Sequence, residues 1–419
     1  MREKLIIFLK KNSKLYKIIA DFINFIEVNK KKNKLLLFFV DLLVGKKIVI
    51  LKNSSVREYA LEHNLKLKTQ EPEKNRQVYV PVVYPIKLTD EVEEYSTYSI
   101  YSVCINNVII VGANNILVKD GMCLNDKYEL SYNDEFNFET GNVLEWDRQN
   151  AKVEISRKSR NIKEGIYLIG EAANNYYHWF FDIMSKLAYI NQCEDIKDVP
   201  LLIDDTVARR ETCLNLLNII DEQNHKIIFI KRYCSYNVEK LYYFSQCTWS
   251  NVYVSSKVKT VNHARYAKSE FVIGYIRKQM NKKIEKEKIY SNKKRIFITR
   301  GKEYSERFYE EEKYAEIARK YGFEMYNPMD NSMMQQVVDF NSADCIIAVE
   351  GAALVNLIWC KPKTKVICVN PYVREDYLYS TLAYMVNVDC VYLDAKILNG
   401  KYHVNLKTYI ECIEKILSE

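Results

Sequence analysis

Two short stretches carry polar side chains that could do chemistry inside otherwise apolar patterns. The first is "NNYYHWFFDIMSKL", residues 174–187, which holds one of only five histidines in 419 residues. Read as a helix, it puts Tyr176, Phe180, Ile183, Met184 and Leu187 on one face. Asn174, His178, Asp182 and Ser185 fall on another, beside the apolar stripe, with Asn175 next to them at the helix start. A histidine four residues before an aspartate suits proton transfer. Asp182 can orient His178 and hold its proton, or act as the base itself. A satisfied histidine at the edge of the core would give the same pattern.

The second stretch is "CIIAVEGAALVN", residues 345–356. An apolar strand ends at Glu350, and Gly351, Ala352 and Ala353 open a helix that reaches Asn356. Small residues let backbone N–H groups approach a ligand, and a helix N-terminus favours an anion such as a diphosphate. The same small residues would also let a helix pack closely on a sheet. Arg300 closes an earlier strand, "RIFITR", and Arg307 follows in "TRGKEYSER". Both can fork onto phosphate oxygens if they face the same crevice. No D-x-D occurs in the chain, so nothing favours a diphosphate bridged by a metal, and no metal or other cofactor is expected.

These residues need elements to hold them. Residues 76–160 carry short β-type runs such as "VYVPVVYPI" and "SIYSVCINNVIIVG", which predict a β-rich elaboration with hairpins. From residue 165 strands alternate with helices: "GIYLIGE", a helix over 174–190, "VPLLIDD", a helix over 208–220, and "KIIFIKR". A second alternating series runs through "RIFITR", a helix over 309–321, "FEMYN", a helix over 332–341, "CIIAVE", a short helix from 351 and "KVICVN". Apolar strands alternating with amphipathic helices predict parallel sheets covered on both faces. Within 309–321, Tyr314, Ile317, Ala318 and Tyr321 form the apolar stripe and Gly322 supplies the stop. Ser332 and Gln335 suit a capping box for the next helix. The charged stretch 277–295 reads as a linker. The expected architecture is therefore two Rossmann-like α/β domains facing a cleft. Residues 1–70 form a basic helical arm, 71–275 a first domain that is β-rich and then α/β, and 276–419 a second, Rossmann-like domain.

Charge separates the arm from the rest. The net charge is +8, and residues 1–50 hold 12 Lys/Arg against 4 Asp/Glu, leaving 50 of each for the remainder. A neutral body argues against nucleic acid as a partner. The arm alternates lysines with apolar runs, the longest charge-free one being Leu35–Val40. That is far short of the roughly 20 residues a membrane span needs. The arm suits an anionic membrane surface, or else a solvated helical hairpin on the body. Eleven cysteines without a C-x-x-C read as small buried hydrophobes in a reducing compartment. The expected location is cytoplasmic, peripheral on the inner face of the plasma membrane.

The segments "NNYYHWFFDIMSKL" and "IFITRGKEYSER…NPMDNSMMQQVVDFNSADCIIAVEGAALVNLIW" resemble glycosyltransferase family 61, including bacterial members from capsule and exopolysaccharide clusters. The likeness covers about residues 165–370. It implies a GT-B-like fold, a nucleotide-sugar donor, a glycan or lipid-linked acceptor, inversion at the anomeric carbon and no required metal. By position, His178 and Asp182 stand at the family's H-W-x-x-D motif. Arg300 and Arg307 match its arginine segment, and Gly351 to Asn356 match its G-A-x-L-x-N. Many members have His before that glycine where this chain has Glu350. A carboxylate cannot donate to phosphate, so Glu350 suits accepting from ribose or sugar hydroxyls. The rival expectation is a non-catalytic carbohydrate- or nucleotide-binding protein on a degenerate scaffold.

Overall fold

The computed structural model describes residues 45–86, 91–130, 141–249, 263–299 and 310–418. Arg300, Arg307 and residues 1–44 of the basic arm lie outside them. Among the described residues the chain builds one sheet of eleven strands and another of six.

The strands of the larger sheet that matter most are β1 (Ile100–Val111), β2 (Arg160–Leu168), β3 (Leu201–Asp204), β4 (Ile227–Ile230) and β5 (Ser235–Phe244). The order β4-β3-β2-β5 is parallel throughout. Strand β1 then joins β5 antiparallel, and the same sheet continues to Lys46–Ser54, Asn150–Ser156 and Val143–Trp146. The β-rich elaboration is thus an extension of the α/β sheet through the β5–β1 ladder. No strand pattern could reveal that pairing, because its partners are more than a hundred residues apart.

Part of the stretch expected as helical arm is built into the larger sheet. Residues 46–54 are a strand paired with Asn150–Ser156, followed by the helix Val56–Glu62. Ser55 caps that helix, and Glu58 completes a reciprocal capping box. Lys46, which counted toward the arm's charge, is neutralised in the sheet by Glu154.

The smaller sheet contains β6 (Arg295–Ile298), β7 (Glu324–Tyr326), β8 (Cys345–Val349), β9 (Lys365–Asn370) and β10 (Asp389–Asp394). Its order is β7-β6-β8-β9-β10, all parallel, with Val82–Tyr84 added beside β10. That last strand comes from the N-terminal half, so the two halves are interwoven. Strand β8 is almost wholly buried, as a parallel strand covered on both faces must be. The strand order reverses between β6 and β8, and ligands of open α/β sheets bind beyond the carboxyl ends at such a switch point.

Four helices frame these sheets: α1 (Glu211–Ile220), α2 (Glu270–Glu287), α3 (Glu311–Lys320) and α4 (Met333–Ser342). Helix α3 buries Tyr314, Ala315 and Ala318 and stops before Gly322, whose φ is +81°. Ser332 accepts from the Gln335 N–H at 3.2 Å, while the Gln335 side chain bonds Asp339 instead of closing the capping box. Helix α2 corrects the expected linker over 277–295. Its buried stripe is Val272, Ile273, Ile276 and Met280, so the amphipathic signal lies mostly upstream of the charged residues. Helix α2 then ends at Lys288 in a left-handed turn.

One apolar core joins the halves. Trp179, Phe180 and Leu187 from the first half share a cluster with Phe340, Leu357, Ile358 and Trp359 from the second.

Candidate functional site

The stretch 176–190 is helical but irregular. A short α turn, Tyr176–His178, leads into a π segment, Trp179–Ile183, then a 3-10 turn, Met184–Lys186, and α again over Leu187–Ile190. Asn175 caps its start by accepting from the Tyr177 N–H at 2.9 Å, and Asn174 is exposed beside it. The regular 3.6-residue helix expected here is therefore corrected. Aromatic bulk at Trp179, Phe180 and Phe181, all at most 1% exposed, fills both sides of the element, and a wider turn accommodates it. Single π turns inside helices often sit at functional sites.

The wider turn keeps His178 and Asp182 in contact. His178 Nδ1 lies 2.7 Å from Asp182 Oδ2, and Thr248 Oγ1 donates to Asp182 Oδ1 at 2.6 Å. Asp182 is 6% exposed. Burial pushes its carboxyl up, but the His178 hydrogen bond and charge, the Lys127 charge and the Thr248 hydrogen bond outweigh burial and hold it down to about 2. Asp182 is therefore a carboxylate at any working pH and a poor proton acceptor. With Nδ1–H donated to Asp182, the remaining lone pair of His178 is on Nε2. Of the two roles left open by the sequence, this geometry suits the imidazole as base and the carboxylate as its orienter. Ser185, on the same expected face, is fully buried and donates to the Phe181 carbonyl, so it serves the helix.

The second half meets this element directly. Residues Ala352–Trp359 form a 3-10 helix in place of the expected α turn, with Gly351 at its cap. Tyr176 Oη donates to Asn356 Oδ1 at 3.2 Å, and Trp359 Nε1 donates to the same oxygen at 3.2 Å. The Asn356 amide donates to Gln336 Oε1 at 2.9 Å, which ties in α4. Phe180 meets Trp359 edge-on with ring centroids 5.9 Å apart. Asn356 is 1% exposed, so its polar atoms are committed to joining the halves.

Glu350 follows β8 at the switch point, and its Oε2 accepts from Tyr402 Oη at 3.3 Å. Gly351, Ala352 and Ala353 are half-buried at the start of the 3-10 helix. Arg300 stands two residues beyond the end of β6 in sequence. Asp376, in the loop after β9, accepts from the Leu378 N–H at 3.0 Å and from Asn370 Nδ2 at 3.1 Å.

Three buried lysines that sequence reading missed act on Asp182 through their charge. Lys127, Lys186 and Lys268 are each 2–3% exposed, and each interacts electrostatically with Asp182. Lone lysines read as solvated in a sequence, and only tertiary burial distinguishes these. An open groove of about 560 Å³, lined by Arg160, Lys163, Ile228 and Phe229, lies at the other end of the parallel strands. It is at the amino ends, away from His178.

No curated protein matches the chain in sequence. A family model does match, that of Glycosyltransferase 61, over residues 176–367. The matched segment opens on Tyr176, takes in His178 and Asp182, and runs through the Gly351 turn into β9. Over residues 176–367, a little under half of its length, the chain is thus similar to the Glycosyltransferase 61 family.

Proposed function

We propose that the protein is an inverting, metal-independent glycosyltransferase with a GT-B-like pairing of its two sheets. It moves a sugar from a nucleotide-sugar donor to a hydroxyl of a glycan or lipid-linked saccharide in surface polysaccharide synthesis. The observation that carries this reading is the His178–Asp182 contact, joined through Tyr176 and Asn356 to the Gly351 helix within the matched region.

In this reading the acceptor hydroxyl gives its proton to His178 Nε2 as its oxygen attacks the anomeric carbon. The bond from that carbon to the phosphate oxygen breaks, and the nucleoside diphosphate leaves with the electron pair. Asp182 holds the imidazole and stabilises the imidazolium that forms. The diphosphate rests at the N-terminus of Ala352–Trp359, with Gly351 allowing close approach and Arg300 and Arg307 completing the charge. Glu350, anchored by Tyr402, accepts from ribose or sugar hydroxyls. Asn174 and Asn175 border the acceptor side.

The test is transfer from a panel of nucleotide sugars to saccharide acceptors, with the product anomer read by NMR. Donor binding with neither transfer nor hydrolysis would replace this reading by a binding protein on the same scaffold. On the donor side, Arg300→Ala is expected to weaken nucleoside diphosphate binding by about 1.5–3 kcal/mol, the range of a charged hydrogen bond. Free nucleoside should bind both forms alike. Unchanged diphosphate affinity by calorimetry removes Arg300 from the site.

The basic arm would bring the enzyme to an anionic membrane carrying the acceptor. Among the described residues no helix is long and apolar enough to cross a membrane. Deleting residues 1–44 spares the strand Lys46–Ser54, so the body should stay folded while liposome binding is lost. Full-length protein that fails to co-sediment with anionic liposomes at low salt rules the membrane role out.

A further inference from the structure

Beyond the carboxyl edge of the smaller sheet stands a tyrosine ring that the core does not use. Tyr372, two residues past the end of β9, is 43% exposed, and among the described residues its hydroxyl has no hydrogen-bond partner. Its backbone is nevertheless held from several sides. The Tyr372 N–H donates to Asn370 Oδ1 at 2.8 Å, and its carbonyl accepts from the Glu375 N–H at 3.0 Å and the Asp376 N–H at 2.9 Å. Tyr266 of the first half donates its hydroxyl to the Glu375 carbonyl at 2.9 Å, which ties down the same loop. An open ring on so fixed a backbone has little freedom left to lose on binding, which is what a stacking platform needs.

The neighbour of that ring is Tyr402, edge-on, with centroids 6.4 Å apart and planes at 88°. Tyr402 is 8% exposed and donates to Glu350 Oε2 at 3.3 Å, so one buried side chain spans the gap between Tyr372 and the carboxylate beside Gly351. Tyr402 also lies in a hairpin, Lys396–Leu398 against Lys401–His403, directly across from Ile397. Residues paired in this way project on one face, and Ile397 is 48% exposed. Two exposed hydrophobic side chains from separate elements thus neighbour the tyrosine that holds Glu350. Such side chains grouped beside a polar crevice mark a ligand surface.

We propose that Tyr372 and Ile397 take the nucleobase of the donor, which stacks on the tyrosine ring, with the ribose on Glu350 and the diphosphate at the Gly351 helix end. The inference rests on the transferase reading above. The Glu350 N–H donates to the Val369 carbonyl at 2.9 Å, which sets the ends of β8 and β9 side by side and brings the Tyr372 loop next to the Gly351 turn. Along this edge an aromatic face, a hydroxyl acceptor and a helix N-terminus follow one another, the order of base, ribose and diphosphate in a nucleotide. A saccharide also stacks on tyrosine, but in that reading the acceptor hydroxyl meets His178 on the first half. Stacking uses the π face that every base has, so the slot supplies affinity and leaves base selection to polar groups.

The test measures UDP, GDP, CDP, ADP, dTDP and inorganic pyrophosphate by calorimetry on full-length wild type, Tyr372→Ala and Tyr372→Phe. Wild type that binds none of the nucleotides sinks the transferase reading and this inference with it. For a nucleotide that binds, Tyr372→Ala is expected to weaken affinity by about 5–100-fold, the range for truncating an aromatic under a base, while Tyr372→Phe stays within about twofold. Pyrophosphate has no base and should bind all three forms alike. Melting temperatures should coincide, because the ring is half-exposed. Unchanged nucleotide affinity in Tyr372→Ala, or an equal loss for pyrophosphate, overturns the role of Tyr372 and leaves the transferase reading standing. A loss confined to the KM for the saccharide acceptor does the same and moves the ring to the acceptor side.

Discussion

His178→Gln is expected to lower transfer by roughly 10²–10⁴-fold, the span for loss of a general base. Glutamine can still donate to Asp182 and fill the mostly buried edge where His178 sits, but its amide cannot take up the acceptor's proton. Two other quantities should stay put. In the proposed function donor affinity rests on the Gly351 helix end and the arginines of the other half. The melting temperature should change little, because Trp179, Phe180 and Phe181 carry most of the buried apolar surface of this element and glutamine can keep the hydrogen bond to Asp182. Initial rates, calorimetry with the donor and thermal melting on the one variant read all three. Near-normal rates with a lowered melting temperature would make His178 a core-edge residue and remove it from the chemistry.

Much of this site was legible because its signals are local. The spacing of His178 and Asp182 survives the π turn, and the apolar runs of β6 and β8 end at the residues that open the switch point. The stripe and glycine stop of α3 gave its limits to within about two residues. What stayed hidden depends on distant partners. Val82–Tyr84 looks like any short β run, and only its place beside β10 makes it part of the second sheet. The strand at Lys46 passed for the end of a basic arm because its lysines count as charge until Glu154 is opposite. Thr248 and Lys268 carry no spacing signal, since a bridge between single residues leaves no period in the sequence.

Those hidden neighbours change what Asp182 can be expected to do. Read from sequence alone, catalysis and core-edge packing are opposed roles, and a single variant could separate them. Among the described residues Asp182 is the only carboxylate that contacts His178, and it is also a counter-charge for buried lysines. One residue now carries both consequences, so stability and activity should fall together.

Asp182→Asn should lower transfer by about 10³–10⁴-fold through the wrong imidazole tautomer. The asparagine oxygen can keep the Thr248 hydrogen bond, which turns its NH₂ toward His178 Nδ1. The imidazole must then carry its proton on Nε2, where the acceptor's proton would otherwise go. Stability should fall as well, by about 3–5 kcal/mol, the usual cost of leaving buried charges without their partner. Part of that loss depends on pH. The Asp182 carboxyl is held at about 2 in the folded protein against 3.8 ordinarily, so its ionisation contributes about 2 kcal/mol. The sign follows from the lowered value: this contribution is complete above about pH 4 and is lost as pH falls toward 2. Denaturant melts of wild type and variant should therefore differ most near neutrality and converge in acid. In activity, adding Asp182→Asn to His178→Gln should cost little more than His178→Gln alone, because the two act as one unit. Additive losses in the double variant would mean that Asp182 acts on transfer by a route other than His178.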